Sequence, residues 1–141
     1  ARALEIAGYN VVAIDVSDAA LESAKERFPD SKVNFVKQDI FEMPEEYRDS
    51  FDFVFEAFTI QSLPIIFREK MIKSIINTID INGKLLVVAH KKEKNFPGPP
   101  WPLQEDEVNL FSLHGMKELS NEVHNEDSHI SSKKFRILYK K

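Results

Sequence analysis

Cysteine is absent from the 141 residues. Disulfides, thiolate metal sites and cysteine nucleophiles are therefore excluded at once. Glycine is scarce: Gly8, Gly83, Gly98 and Gly115 are the only four, too scattered to compose a Gly-rich cofactor-binding fingerprint. Positive charge is not in excess either. Nineteen Lys and Arg stand against 23 Asp and Glu, for a formal net charge of -4, so the basic stripe of a nucleic-acid surface is missing. No apolar run approaches the roughly 18 residues of a membrane span. Ala1 to Ile6 is too short and too amphipathic for a secretory signal. His114, His124 and His129 lack metal-ligand spacing, so no metal site is expected. These absences point to a reducing cytoplasm, with neither a nucleic acid nor a membrane as partner.

What is present is an alternation of short apolar runs and helical stripes. Ala1 to Gly8 reads as the last turns of a helix, with Gly8 at its end. Val11, Val12, Ala13 and Ile14 form a short buried strand that closes on Asp15. Ser17 is placed to cap a following helix, with Asp18 at the positive end of its dipole and Leu21, Ala24 and Phe28 on one face. Val33 to Val36 and Phe51 to Phe55 predict two further strands, with a single helical turn over Pro44 to Asp49 between them. Pro64 suits the first turn of a helix whose stripe is Phe67, Met71, Ile72, Ile75, Ile76 and Ile79. Asn82-Gly83 is expected to turn the chain into a strand over Lys84 to Ala89. The proline-rich stretch Pro97 to Pro102 must be a stiff loop. Gln104 to Phe111 reads as a helix, and Glu118 to Glu126 and Lys134 to Lys140 as an antiparallel hairpin across the loop Asp127 to Ser132.

Strands alternating with helices predict an α/β domain with a parallel, doubly wound sheet covered on both faces. No repeat, low-complexity tract or linker interrupts the pattern, so residues 1–141 are read as a single domain. Ligands of such sheets sit beyond the carboxyl ends of the strands, where Asp15, Asp39 and Glu56 fall. A carboxylate at Asp15 can accept from both hydroxyls of a ribose, or simply cap the helix that follows or stand exposed to solvent. Asp39 can accept from an adenine amine while Ile40 supplies backbone and apolar contact, or serve as an acidic turn residue. Glu56 either faces the site or caps its strand.

The runs Ala13-Ile14-Asp15-Val16-Ser17, Gln38-Asp39-Ile40 and Phe51-Asp52-Phe53-Val54-Phe55-Glu56 resemble, in content and spacing, the motifs of class I S-adenosylmethionine-dependent methyltransferases. The terminal hairpin, ending Phe135-Arg136-Ile137-Leu138-Tyr139, is similar to the antiparallel seventh strand of that Rossmann-like sheet. Thr59-Ile60-Gln61-Ser62-Leu63-Pro64 and Gly98-Pro99-Pro100-Trp101-Pro102-Leu103 are similar to segments of its thiopurine/thiocyanate methyltransferase-like small-molecule branch. The resemblance implies S-adenosylmethionine as cofactor, held by Asp15, Val16, Asp39, Ile40 and Glu56, and a small-molecule acceptor methylated at sulfur. It places Phe58, Gln61 and Trp101 near that acceptor, although Phe58 also suits the core and Trp101 the sheet edge. The family's first strand and the glycine-rich loop after it have no counterpart here. The chain is accordingly expected to lack the first strand, to be truncated at its amino terminus, and to bind cofactor weakly.

Methyl transfer from a sulfonium needs alignment above all, and a thiol or thiolate acceptor needs little help from a base. No catalytic residue is therefore assigned. His90, at the end of its strand, reads as structural. Two other readings compete. One is a nicotinamide-dependent oxidoreductase, in which an acid in the place of Asp15 also binds ribose. The other is a non-catalytic methyltransferase-like scaffold for a partner protein.

Overall fold

The computed structural model describes residues 1–95, 97–125 and 133–141. They group into two compact units, Ala1–Met43 and Pro44–Lys141, each with its own sheet. None of the described helices is long and apolar enough to cross a membrane.

The first unit runs α1 (Arg2–Ile6), β1 (Val12–Asp15), α2 (Asp18–Arg27) and β2 (Asn34–Lys37). Gly8 reverses the chain after α1 at φ +94, a conformation open to glycine without strain. The apolar run Val12-Ala13-Ile14 pairs in parallel with β2, from Val12 opposite Asn34 to Asp15 opposite Lys37. Ser17 caps α2, its hydroxyl accepting from the Ala20 N–H at 3.3 Å. Asp18 in the first turn and Lys25 and Arg27 in the last complement the helix dipole. Leu21 is the buried residue of α2. Glu5 ties α1 to the approach to β2, accepting from the Ser31 hydroxyl at 2.5 Å and the Lys32 N–H at 2.6 Å. The Ser31 bond, with Arg2 and Lys32, holds the Glu5 carboxyl down at about 2.

The second unit carries β3 (Phe51–Ala57), α3 (Arg68–Thr78), β4 (Ile79–His90), α4 (Glu105–Val108), α5 (Leu110–Leu113), β5 (Lys117–Asn125) and β6 (Lys133–Lys140). Its sheet has the order β3-β4-β6-β5. β3 and β4 are parallel, while β6 runs antiparallel to both of its neighbours. The expected α/β fold is formed with a mixed sheet and an antiparallel hairpin at one side, while the expected parallel strands are divided between this sheet and the β1-β2 pair; the hairpin's loop, Asp127 to Ser132, lies outside the described residues. Alternation along the strands buries Leu85, Val87 and Ala89 of β4 and Phe135, Ile137 and Tyr139 of β6 in one core with Met71, Ile72, Ile75 and Ile76 of α3. The Tyr139 hydroxyl is satisfied there by the Val108 carbonyl at 2.9 Å.

Three local expectations change. Asn82 and Gly83 lie inside β4 rather than before it. The partner register jumps from Phe51–Ile79 to Phe53–Lys84, and Asn82 takes φ +68. A Cβ on Gly83 would stand 2.7 Å from the Ile79 side chain, so the irregularity needs glycine. The helix expected over Gln104 to Phe111 is two short segments joined at Asn109 and reaches Leu113. Pro64 starts a 3₁₀ turn, Ile65–Phe67, from which α3 continues.

Candidate functional site

In the first unit, Asp15 and Asp39 follow adjacent parallel strands and share one end of the sheet. Neighbouring strands lie about 4.8 Å apart, and the Gln38 N–H donates to the Asp15 carbonyl at 3.0 Å. Both carboxylates are exposed. Asp15 Oδ1 accepts from the Ser17 N–H at 2.8 Å, and Asp39 Oδ1 from the Phe41 N–H at 2.8 Å, where it caps the 3₁₀ turn Ile40–Glu42. Among the described residues nothing donates to the second oxygen of either group, which leaves each an open acceptor. The Gln38 side chain braces the turn by donating to the Asp39 carbonyl at 3.1 Å and the Glu42 carbonyl at 2.7 Å. Val16, 63% exposed, and the half-buried Ile40 set apolar surface beside the acids. One oxygen of Asp15 thus braces the Ser17 cap residue and one oxygen of Asp39 caps the 3₁₀ turn, while the second oxygen of each is left available.

In the second unit, the loops after β3 and β4 leave the sheet at a common end, because those strands are parallel. Glu56 turns inward and is 5% exposed. Its Oε1 accepts from the N–H groups of Thr59 at 2.7 Å and Ile60 at 3.0 Å. Its Oε2 is buried with no hydrogen-bond partner among the described residues. Burial outweighs the two backbone bonds and pushes its carboxyl up to about 7. Phe58, read as suiting the core, stands 37% exposed at φ +65. Its N–H donates to the Val88 carbonyl at 2.9 Å. Its ring lies 5.2 Å from the His90 ring and 5.1 Å from the Lys134 ammonium.

Gln61 is 2% exposed, and its two oxygens are committed to the protein. Its Oε1 accepts from the His90 N–H at 2.8 Å, and its carbonyl from the Trp101 N–H at 2.7 Å. Trp101 is half-buried in the proline-rich loop. The structure thus gathers Asp15, Val16, Asp39 and Ile40 in one unit and Glu56, Phe58, Gln61 and Trp101 in the other, with Glu56 and Gln61 acting as braces. Sequence reasoning missed Arg68, which is buried and paired with Glu107. Its only local signal is a cation where the apolar stripe of α3 begins. The described residues contain no group of three His, Asp or Glu able to hold a metal.

A methyltransferase-domain family model matches residues 2–138. Among functionally curated proteins none matches the chain. Among solved structures, a methyltransferase from Methanosarcina mazei superposes with a TM-score of 0.79 at 17% identity, over 99% of this chain and 86% of that one. The N-methyltransferase NodS from Bradyrhizobium japonicum, in complex with S-adenosyl-L-homocysteine, gives 0.79 at 14% identity, over 93% and 66%. TehB from Haemophilus influenzae gives 0.69 at 20% identity over 98% of this chain, which spans 52% of TehB. At these identities the likeness is one of fold.

Proposed function

The chain belongs to the class I methyltransferase family, and from that premise we propose that it transfers a methyl group from S-adenosylmethionine to a small molecule, at a sulfur atom. The observation that carries the reading is the pair of open carboxylates, Asp15 and Asp39, at the carboxyl ends of adjacent parallel strands. These residues fit the nucleoside half of the cofactor. Asp15 keeps one oxygen free to accept from ribose hydroxyls while the Ser17 N–H fixes the other. Asp39 does the same toward an adenine amine. Val16 and Ile40 give the apolar surface that a flat base requires. When bound, the cofactor supplies an electrophilic methyl on a sulfonium that leaves as a neutral thioether.

The protein's share of such a displacement is to bind and align. The acceptor side falls to the loops after β3 and β4, with Phe58 and Trp101 as contacts and Gln61 as the residue joining those loops. Glu56 faces inward and offers no open base, which suits a thiol or thiolate acceptor that needs none. The similarity of residues 59–64 and 98–103 to the sulfur-methylating branch supports the same acceptor.

Calorimetric titration with S-adenosylmethionine tests the donor side. Asp15→Asn is expected to weaken binding about 10- to 100-fold, the equivalent of one or two charge-assisted hydrogen bonds. Unchanged affinity would remove Asp15 from the site. Assays against thiols, thiocyanate and halides, run beside amines and alcohols, test the acceptor; turnover of amines alone would overturn the sulfur assignment.

A further inference from the structure

Arg68 opens α3 and is 2% exposed. A guanidinium so deep must be paired and hydrogen-bonded to be tolerated. One arm, Nη1, stands in ion-pair contact with Glu107 in the first turn of α4 without a hydrogen bond of its own; the other, Nη2, donates to the Trp101 carbonyl, and Nε has no hydrogen-bond partner among the described residues. Glu107 is fixed in turn, its Oε2 accepting from the Gln104 N–H at 2.7 Å in a capping box. The Trp101 N–H is held by the Gln61 carbonyl at 2.7 Å. Both backbone polar groups of Trp101 are therefore gripped from the segment 61–68. Two residues on, Leu103 is zipped to the end of β4, donating to the His90 carbonyl and accepting from the Lys92 N–H, each at 2.8 Å.

The side chain of Trp101 takes no part in this clasp. Its indole lies on Gly98, where a Cβ would come within 2.3 Å of Nε1 and where φ is +60. Only glycine fits there. The loop is thus bolted by its backbone and stiffened by proline, while its one large ring stays half-buried at the carboxyl end of β4. That is the end where ligands of parallel sheets are bound.

We infer that Arg68 is a positioning residue: its guanidinium clasps the 97–103 loop so that Trp101 presents its indole as a wall of the acceptor site. The word acceptor rests on the methyl-transfer reading above. An indole wall favours a soft sulfur nucleophile, since sulfur packs well against aromatic rings.

Trp101 is the sole tryptophan of the chain, so intrinsic fluorescence reads the loop directly. Arg68→Lys keeps the charge toward Glu107 and loses the two-armed fork. The expected result is a red-shifted emission, about two-fold greater quenching by acrylamide, and a KM for a thiol acceptor raised about ten-fold, with kcat and the affinity for S-adenosylmethionine within about two-fold of wild type. Unmoved emission overturns the clasp. Moved emission with an unchanged KM, or with an equal loss of cofactor affinity, overturns the acceptor role. If Arg68→Lys loses its far-ultraviolet circular dichroism, Glu107→Gln, which retains the helix cap, is judged by the same readouts. A wild-type chain that turns over no acceptor overturns the proposed function instead. The emission of Arg68→Lys then decides the clasp alone, a red shift upholding it and an unmoved spectrum overturning it.

Discussion

Glu56 shows how one atom's surroundings decide a residue's behaviour. Two backbone N–H groups favour its carboxylate, but burial favours the acid more strongly, and its pKa rises from 4.5 to about 7. The folded chain therefore holds this proton more tightly than the unfolded chain does. The contribution to stability is complete below about pH 4.5 and is lost as pH rises through about 7. With a gap of this size the change is of order 3 kcal/mol. Glu56→Gln keeps an oxygen for Thr59 and Ile60 and cannot ionise, so urea midpoints of the variant should lose the fall that wild type shows between about pH 5 and 7. A wild-type midpoint flat across that range would show the carboxyl to be hydrated. Tyr139 makes a different claim. Its hydroxyl bonds the Val108 carbonyl inside the core, so Tyr139→Phe leaves a buried acceptor unmatched at a cost of about 1–3 kcal/mol in denaturant unfolding.

At the scale of elements, the best-read pieces are those whose information is local. The strand ending at Asp15 and the helix capped by Ser17 are both written within a few neighbouring residues. Ser17→Ala should destabilise α2 by about 1 kcal/mol, seen as a lower midpoint in thermal unfolding, while leaving Asp15 its open oxygen. The misread pieces depend on partners distant in sequence. Asn82 and Gly83 look like a turn, yet pairing with β3 draws them into β4 as an irregularity. Phe58 has the composition of a core residue, but after β3 its backbone takes a positive φ and its ring stands partly exposed. Nothing around Gln61 foretells that its side-chain oxygen accepts from the His90 N–H. Arg68 and Glu107 pair across a long stretch of chain, and no periodicity carries that signal. The candidate acids Asp15 and Asp39 were legible because a strand end followed by an acid is a local pattern; the braces around the 97–103 loop were not.

At the scale of the molecule, the edges of the four-stranded sheet differ in kind. β5 is exposed along its whole length and carries Lys117, Glu118 and Glu122, the charges that keep an edge from pairing with other chains. β3 is the opposite. Its sequence Phe-Asp-Phe-Val-Phe-Glu-Ala has Asp52 as its one exposed charge, since Glu56 is turned inward, and it bonds only to β4 among the described strands. A near-continuous apolar run of this sort is what an interior parallel strand carries. Phe55, 47% exposed on that strand, combines apolar surface with a strand edge that pairs with no second strand among the described residues. Self-association on heating should therefore begin at β3. Phe55→Lys places a charge there, and because the ring is already half in solvent the substitution should shift unfolding by no more than about 1 kcal/mol. Light scattering at a fixed temperature below the unfolding midpoint should rise several-fold more slowly for the variant, and with a weaker dependence on protein concentration. If scattering is unaltered while the midpoint holds, association starts elsewhere, and the charged edge at β5 becomes the next strand to alter.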